Sequence, residues 1–454
     1  MISIFGFFLT IYIIFYIGKV IKKPYLVTDL FFISIALQLI GDVGYLIKFG
    51  NVTIEYNYFM SVICGFFSII YIIRKGSINK KDFLVLIIYL MFILISMIYP
   101  LIFNLHYKSV SFGDSWDLLF GSNSRWGDVT FSTHAIGMFF RVAIFIISFY
   151  IFAINLEEKD LKKYVKKLYK ISWIIILFSA IEFLITNFFN ESLFRNFVLN
   201  FFGKSDATYL IQRKNFLNMY MPMGFMREPS SYAKSIYIFA VNNIFYYKYA
   251  NNGKNKRLSI LNIVIILVIL VFSNSMSGYI YILTLLFIVL YTMKNKLIKL
   301  SMILYIPIFL LPIYYLAKNR LANIEEAFLL MNMDPSKLQM QSELIRFYSM
   351  NNNLQLFFNH FIIGCGFGTV YSYSAIITLL ANMGIIGLLI YMYINWYINS
   401  IATKKKFFSW LVLIVITLTY LFTGHMSNII YLENFAYQII ILKMLDISIK
   451  GESK

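Results

Sequence analysis

An all-α polytopic membrane fold is predicted by three features of this sequence. Of its 454 residues, 60% are hydrophobic and 13% are charged, with a mean hydropathy of +0.73. Unbroken apolar runs of roughly 16–25 residues recur along the chain, the length a helix needs to cross a hydrocarbon core of about 30 Å. The polar connections between these runs alternate in basic charge. A soluble chain of this size has too few charges to cover so much apolar surface.

The runs occupy residues 2–18, 25–47, 56–73, 83–103, 133–154, 171–189, 231–247, 258–272, 279–293, 300–316, 374–398, 407–422 and 429–445. Thirteen spans follow, with twelve to fourteen as the range, because the eighth run is short and the last carries Glu433 and Lys443. The first starts apolar at Ile2, without a basic lead-in or a small-residue cleavage site, so it reads as a span and not a signal peptide. "RKGSINKK" separates the third and fourth, "LEEKDLKKYVKKLYK" the fifth and sixth, "NNGKNKR" the seventh and eighth, and "KKK" at 404–406 the eleventh and twelfth. Connections after odd-numbered runs, with the C-terminal tail, hold 25 Lys and Arg; those after even-numbered runs hold 12. Basic loops stay cytoplasmic, which places the N-terminus outside and the C-terminus inside. The same bias accounts for the formal charge of +19 and leaves no need for a nucleic-acid partner.

The chain reads as one integral membrane domain, 1–454, in the lipid bilayer. Its long outer segments are 190–230 and 318–373, with a smaller one at 104–132. Aromatic and aliphatic residues run through them ("LFRNFVLNFF", "NNNLQLFFNHFIIG"), which predicts ordered, partly membrane-hugging structure. All four histidines, His106, His134, His360 and His425, fall at or beyond outer span ends, so any chemistry is expected on that face. Cys64 and Cys365 form neither a disulfide framework nor a metal-ligand spacing. No metal site or cofactor is predicted, and no internal repeat of the transporter kind is visible.

"GFMREPSSYAKS" at 224–235 is the stretch that carries most chemistry. Pro229 suits the first position of a helix, whose positive end and free N–H groups then face outward, a natural place for an anion. Glu228 is either the cap that pairs with Arg227 or a carboxylate free to meet a sugar hydroxyl, with Arg227 free to meet a phosphate. Arg195, Arg213, Arg320 and Arg346 are further outer arginines. Of these, Arg346 stands out, because "SELIRFYSMNNNLQLF" reads as an amphipathic helix near the membrane surface. The run from Gly364 to Gly368 lacks the strand–turn–helix context of a dinucleotide site and reads as a turn that returns a loop to the bilayer. Gly384 and Gly387 permit close helix packing. Asp29, Asp42, Arg141, Glu182 and Glu433 are ionisable groups inside or near spans, and an Arg141 bridge to one of the carboxylates is the plain expectation.

Together "GFMREPSSYA", the Ser-rich turn "FSNSMSGYI", a long outer loop with "ELIRFYSM", and "NHFIIGCGFG" followed by "LLANMGIIGLL" mark a resemblance. Over residues about 130–400 the chain resembles the bacterial O-antigen and capsular polysaccharide polymerases of the Wzy type, relatives of the O-antigen ligases. Two departures stand beside it. Met276 occupies a position in the Ser-rich turn where many relatives have Arg, and Tyr373 takes the place of the ligases' histidine, which disfavours a ligase. The resemblance implies a GT-C-like helical glycosyltransferase, independent of metal, in the bacterial cytoplasmic membrane. Its substrates would be oligosaccharide repeats on undecaprenyl pyrophosphate, with a flippase and a chain-length regulator as partners. Glu228, Arg346 and His360 become the candidate catalytic residues, and Arg227, Arg213, Tyr373 and Ser230 the substrate-binding ones. A flippase or transporter for lipid-linked oligosaccharides is the alternative from another class, and an O-antigen ligase the nearer one; a purely structural membrane protein fits the large outer loops least.

Overall fold

The computed structural model describes residues 3–23, 26–40, 45–49, 52–75, 79–103, 108–110, 126–128, 133–190, 192–202, 219–224, 226, 229–249, 253–273, 275–292, 314, 342–370, 372 and 374–402. Within them the chain is overwhelmingly helical. In order come α1 (Ile4–Lys22), α2 (Val27–Ile40), α3 (Tyr56–Lys75), α4 (Lys80–Phe103), α5 (Thr133–Asn155), α6 (Glu158–Phe188), α7 (Leu193–Phe202), α8 (Pro229–Tyr249), α9 (Gly253–Phe272) and α10 (Met276–Thr292). Then follow α11 (Ser342–Asn359) and α12 (Ala375–Ala402). Two short antiparallel ribbons accompany them, β1 (Tyr45–Phe49) with β2 (Val52–Glu55) and β3 (Lys108–Val110) with β4 (Trp126–Asp128).

Among the described residues, six helices are long and apolar enough to cross a membrane: Ile4–Lys22, Lys80–Ile102, Ala135–Asn155, Glu158–Phe188, Asn255–Phe272 and Ala375–Ile398. Shorter apolar helices, Val27–Leu37, Val62–Arg74 and Ser277–Leu290, stand where the second, third and ninth spans are predicted. Apart from Tyr314, the runs at 300–316, 407–422 and 429–445, and with them Glu433 and His425, lie outside the described residues. So do Asp42 and His106. One prediction is corrected: the second span was expected to reach residue 47, but α2 stops at Ile40 and Tyr45 already begins a strand. Gly-Asp-Val-Gly at 41–44 supplies four poor helix formers in a row, enough to end a helix whatever the hydropathy beyond.

Side-chain bonds tie the helix ends into two layers that obey the predicted up–down alternation. In one layer, Lys163 of α6 bridges to Asp29 of α2 at 2.7 Å, and Tyr16 of α1 donates to the same carboxylate. Asp82 at the start of α4 accepts from Tyr150 near the end of α5 and from Tyr397 near the end of α12. Tyr71 of α3 donates to Asn155 of α5 there too. In the opposite layer, Ser3 caps α1 by accepting from the Gly6 N–H and meets Tyr56 at the start of α3. Between the layers α8 packs against α6, α9 and α10, while α12 packs against α4, α5 and α11. A buried amide–hydroxyl network of Asn243, Asn262 and Ser172 joins α6, α8 and α9, each donor meeting an acceptor where no water competes.

An Arg141 bridge was expected to one of the carboxylates. Two of them pair elsewhere, Asp29 with Lys163 and Glu182 with Arg195, and Asp42 and Glu433 lie outside the described residues. Both paired carboxylates sit near helix ends, within reach of cations on α6 and on the short helix α7.

Candidate functional site

The segment that leads into α8 is held by a buried clasp. Glu182 lies near the C-terminal end of α6 and Arg195 on the short helix α7, and they are 2% and 1% exposed. One carboxylate oxygen of Glu182 pairs with Arg195 Nη2, and the other accepts from the backbone N–H groups of Met223 at 3.1 Å and Gly224 at 2.7 Å. Arg195 Nη1 in turn donates to the carbonyls of Gly224 at 3.1 Å and Met226 at 3.5 Å. An ion pair taken out of water is tolerable only when its spare donors and acceptors are also used, and here the loop backbone uses them. Asn187, further along α6, pairs with both backbone groups of Tyr220.

Gly224 has φ +54° and its backbone lies on the ring of Tyr232; a Cβ there would stand 2.7 Å from Cε2. Only glycine combines that conformation with that approach. The Tyr232 hydroxyl bonds Ser179 of α6. The first glycine and the tyrosine of "GFMREPSSYA" are therefore bound to each other and to α6.

Arg227 and Glu228 lie outside the described residues, as do Arg213 and Tyr373. Pro229 opens α8, as predicted, and Ser230 is its second residue. Arg346 is on α11, so the helix expected around it is present. His360 directly follows that helix, half-buried, its ring edge-on to Tyr99 with centroids 6.3 Å apart. As helices, α11 packs on α12 and α8 packs on α6, α9 and α10. Among the described residues, extensive packing does not join the helix of Arg346 to that of Ser230. No group of three or more His, Cys, Asp or Glu that could hold a metal ion occurs among them.

The Ser-rich turn turns out to be a helix cap. Ser275 Oγ accepts from the Gly278 N–H at 3.0 Å, the third position of α10, and Ser273 Oγ donates to Leu270 O at 2.7 Å. Its serines serve the ends of α9 and α10.

The glycine run differs most from expectation. Instead of a loose turn, residues 361–366 are inserted into a break in α12. At Gly384 (φ 65°, ψ −167°) the helix opens, so the bonds that would run from Ile385 to Ala381 and from Ile386 to Asn382 are not made. The loop replaces all four groups. Cys365 N–H donates to Ala381 O at 2.7 Å and Gly366 N–H to Asn382 O at 2.8 Å; Ile385 N–H and Ile386 N–H donate to Phe361 O and Ile362 O. The Asn382 side chain accepts from the backbone N–H groups of Thr369 and Val370 and donates to Val370 O. Gly366 lies against Pro100 of α4, whose missing N–H leaves the Ser96 carbonyl without its helical donor. A Cβ on Gly366 would come within 2.4 Å of Pro100 Cγ. Irregular backbone at membrane depth is tolerated when protein satisfies it in this way.

Reasoning from sequence missed Arg195 as a buried partner of Glu182, and Asn382 altogether. The signal for the first was present: a span-end carboxylate and an arginine thirteen residues on, both near the same membrane face. For Asn382 the signal was an amide in "LLANMG", two residues before a glycine.

His360 carries a pH prediction. Burial lowers its pKa below the ordinary 6.5, so the folded protein binds fewer protons there than the unfolded chain. Its contribution to stability is complete above about pH 6.5 and is lost as pH falls from there through the folded value. His360→Asn is expected to flatten the acid side of the stability profile, measured as the apparent unfolding midpoint between about pH 5 and 7.5. An unchanged profile would refute the assignment.

These features define a multi-pass helical membrane protein whose loops are tied into helix ends at one layer. Comparison with protein-family models, with curated proteins and with solved structures found no match.

Proposed function

We propose that this protein joins lipid-linked oligosaccharide repeats into polysaccharide, as the resemblance implies, on the outer face of a bacterial cytoplasmic membrane. The observation that carries the reading is the clasp: the chain just ahead of Arg227-Glu228-Pro229 is fixed through its backbone by a buried ion pair, while Pro229 begins a helix. Effort of that kind at an otherwise unremarkable loop suits a segment that must present side chains in one place. On this reading the layer with Glu182, Gly224, Ser275 and Gly366 faces outward and the N-terminus lies outside.

The reaction needs little beyond orientation and charge. A hydroxyl oxygen of the nonreducing-end sugar of an incoming repeat attacks the anomeric carbon of the growing chain. The bond from that carbon to the pyrophosphate oxygen breaks, and undecaprenyl pyrophosphate leaves with the electron pair. Arg227, Arg346 and Arg213 supply cationic donors to the developing phosphate charge. Glu228 or His360 takes the hydroxyl proton, and Ser230 and Tyr373 hold sugar hydroxyls.

Glu228→Ala and Arg346→Ala are each expected to abolish long-chain polysaccharide while the protein stays in the membrane at its normal amount; normal chain length in both variants would sink the site. Deletion of the gene followed by polysaccharide gels tests the reading itself. Single-repeat products are expected, whereas lipid-linked repeats trapped on the cytoplasmic side would identify a flippase. Loss of all transfer to the final acceptor would identify a ligase.

A further inference from the structure

The exposed face of α6 changes character once along its length. Ile174, Leu177, Ile181, Leu184 and Phe188 are 53%, 59%, 38%, 52% and 65% exposed. Toward the N-terminus the same face continues as exposed Lys170, Lys166, Lys163 and Lys159. At about 3.6 residues per turn all nine positions fall within an arc of about 80°. The apolar part, from 171 to 188, is about 27 Å long, close to the hydrocarbon thickness of about 30 Å. The lysines therefore begin where hydrocarbon ends.

The helix stays rigid beyond that point, because its other face remains packed. Tyr164 stacks on Phe32 of α2 at 4.3 Å and Tyr169 on Tyr246 of α8 at 4.2 Å. Three lysines of this region have carboxylates: Lys159 with Glu157, Lys162 with Glu158 and Lys163 with Asp29. No carboxylate among the described residues bridges to Lys166 or Lys170.

We propose that Lys166 and Lys170 bind the headgroup phosphate of an anionic glycerophospholipid whose acyl chain lies along Ile174 and Leu177. A lipid is the occupant because the ammonium groups and the chain-covering residues share one continuous face, which an acidic protein or nucleic acid approaching from water would meet only at its lysine end. Phosphate attracts an interfacial ammonium, and the lysine stems cover apolar surface below it. Lys166 and Lys170 lie about 24 and 18 Å along α6 from Glu182, so the site stands or falls independently of the proposed polymerase activity.

The test uses the purified full-length protein, stripped of lipid in detergent and titrated with phosphatidylglycerol, phosphatidylcholine or inorganic phosphate. Bound lipid is counted by native mass spectrometry and binding is followed by thermal stabilisation. Phosphatidylglycerol is expected to bind more tightly than phosphatidylcholine, with the preference weakened by salt. Lys166→Gln/Lys170→Gln is expected to lower its affinity about 20-fold or more, from about fivefold per lysine. Lys80→Gln/Lys81→Gln, exposed at the start of α4 in the same layer, is expected to leave it unchanged. Full binding by the first variant, equal loss in the second, or equal binding of phosphatidylcholine would overturn the proposal. Displacement of phosphatidylglycerol by inorganic phosphate alone would also overturn it, since that marks a free-anion site.

Discussion

Arg195→Ala is expected to destabilise the protein by about 3–5 kcal/mol, the cost of leaving a buried charge without its partner. The change removes the cation that faces Glu182 and, in the same step, the donor to the carbonyls of Gly224 and Met226. Arg195→Lys should recover only part, because one ammonium cannot reproduce the planar fork that reaches a carboxylate and the loop carbonyls together. The more telling variant is the exchange Glu182→Arg/Arg195→Glu. A plain ion pair survives such a swap. Here the swap would aim a guanidinium at the N–H groups of Met223 and Gly224 and a carboxylate at two carbonyl oxygens, donor against donor and acceptor against acceptor. The double variant is expected to be no more stable than the worse single one, read as the apparent unfolding midpoint of the purified protein in detergent. Recovery to near wild type would show that the backbone bonds contribute little. If the proposed function holds, Arg195→Lys should also shorten the polysaccharide at normal protein amounts, because the loop it loosens ends one residue before Arg227.

What was legible in the sequence follows from which forces are local. Helix positions for the first nine spans and the eleventh can be read from apolar run length, because in lipid the backbone has no alternative to satisfying itself. The alternation of span direction can be read from lysine placement, and the Lys163–Asp29 bridge and the tyrosines on Asp82 fall in one layer as that alternation requires. Pro229 announces the start of α8, and the helix around Arg346 shows in its pattern. The end of α2 was less legible: hydropathy ran on to residue 47, yet Gly-Asp-Val-Gly stops a helix through backbone preference. The clasp was invisible as a clasp. Glu182 looked like a costly intramembrane carboxylate and Arg195 like a solvated loop residue, and only the return of α7 against α6 makes each the answer to the other. In the candidate site, the geometry around Gly224 was encoded in the motif itself, since the glycine and Tyr232 eight residues on are in contact.

Gly384→Ala is expected to expel the loop from the break in α12. The native conformation, φ 65° and ψ −167°, belongs to a region occupied essentially by glycine, and a side chain there costs of order 1–3 kcal/mol before any clash. The clash is with backbone: a Cβ would stand 2.3 Å from Ile362 O, which cannot rotate away. Alanine is also the best helix former, so the variant favours the continuous helix in which Ile385 and Ile386 donate to Ala381 and Asn382. Those two carbonyls are the acceptors of Cys365 and Gly366; closing the helix and keeping the loop are mutually exclusive. Hydropathy alone could not have revealed this, because "LLANMGIIGLL" is as apolar as any continuous span. The signal was the recurrence of glycine at 364, 366, 368 and 384, each with positive φ. Cys365 reports the outcome directly. It is buried, its thiol pushed up to about 12 by that burial, and should resist maleimide in the wild type. In Gly384→Ala it should label readily, while Cys64, buried between helices away from the break, stays protected. Gly364→Ala, with a Cβ 2.5 Å from the backbone of Asn382 and Met383, is expected to do the same from the loop side. Protection of Cys365 in both variants would mean that the insertion does not depend on these glycines. Because α11 runs through His360 into the inserted loop, labelling should rise together with loss of the His360 acid limb, tying the two observations to one structural unit.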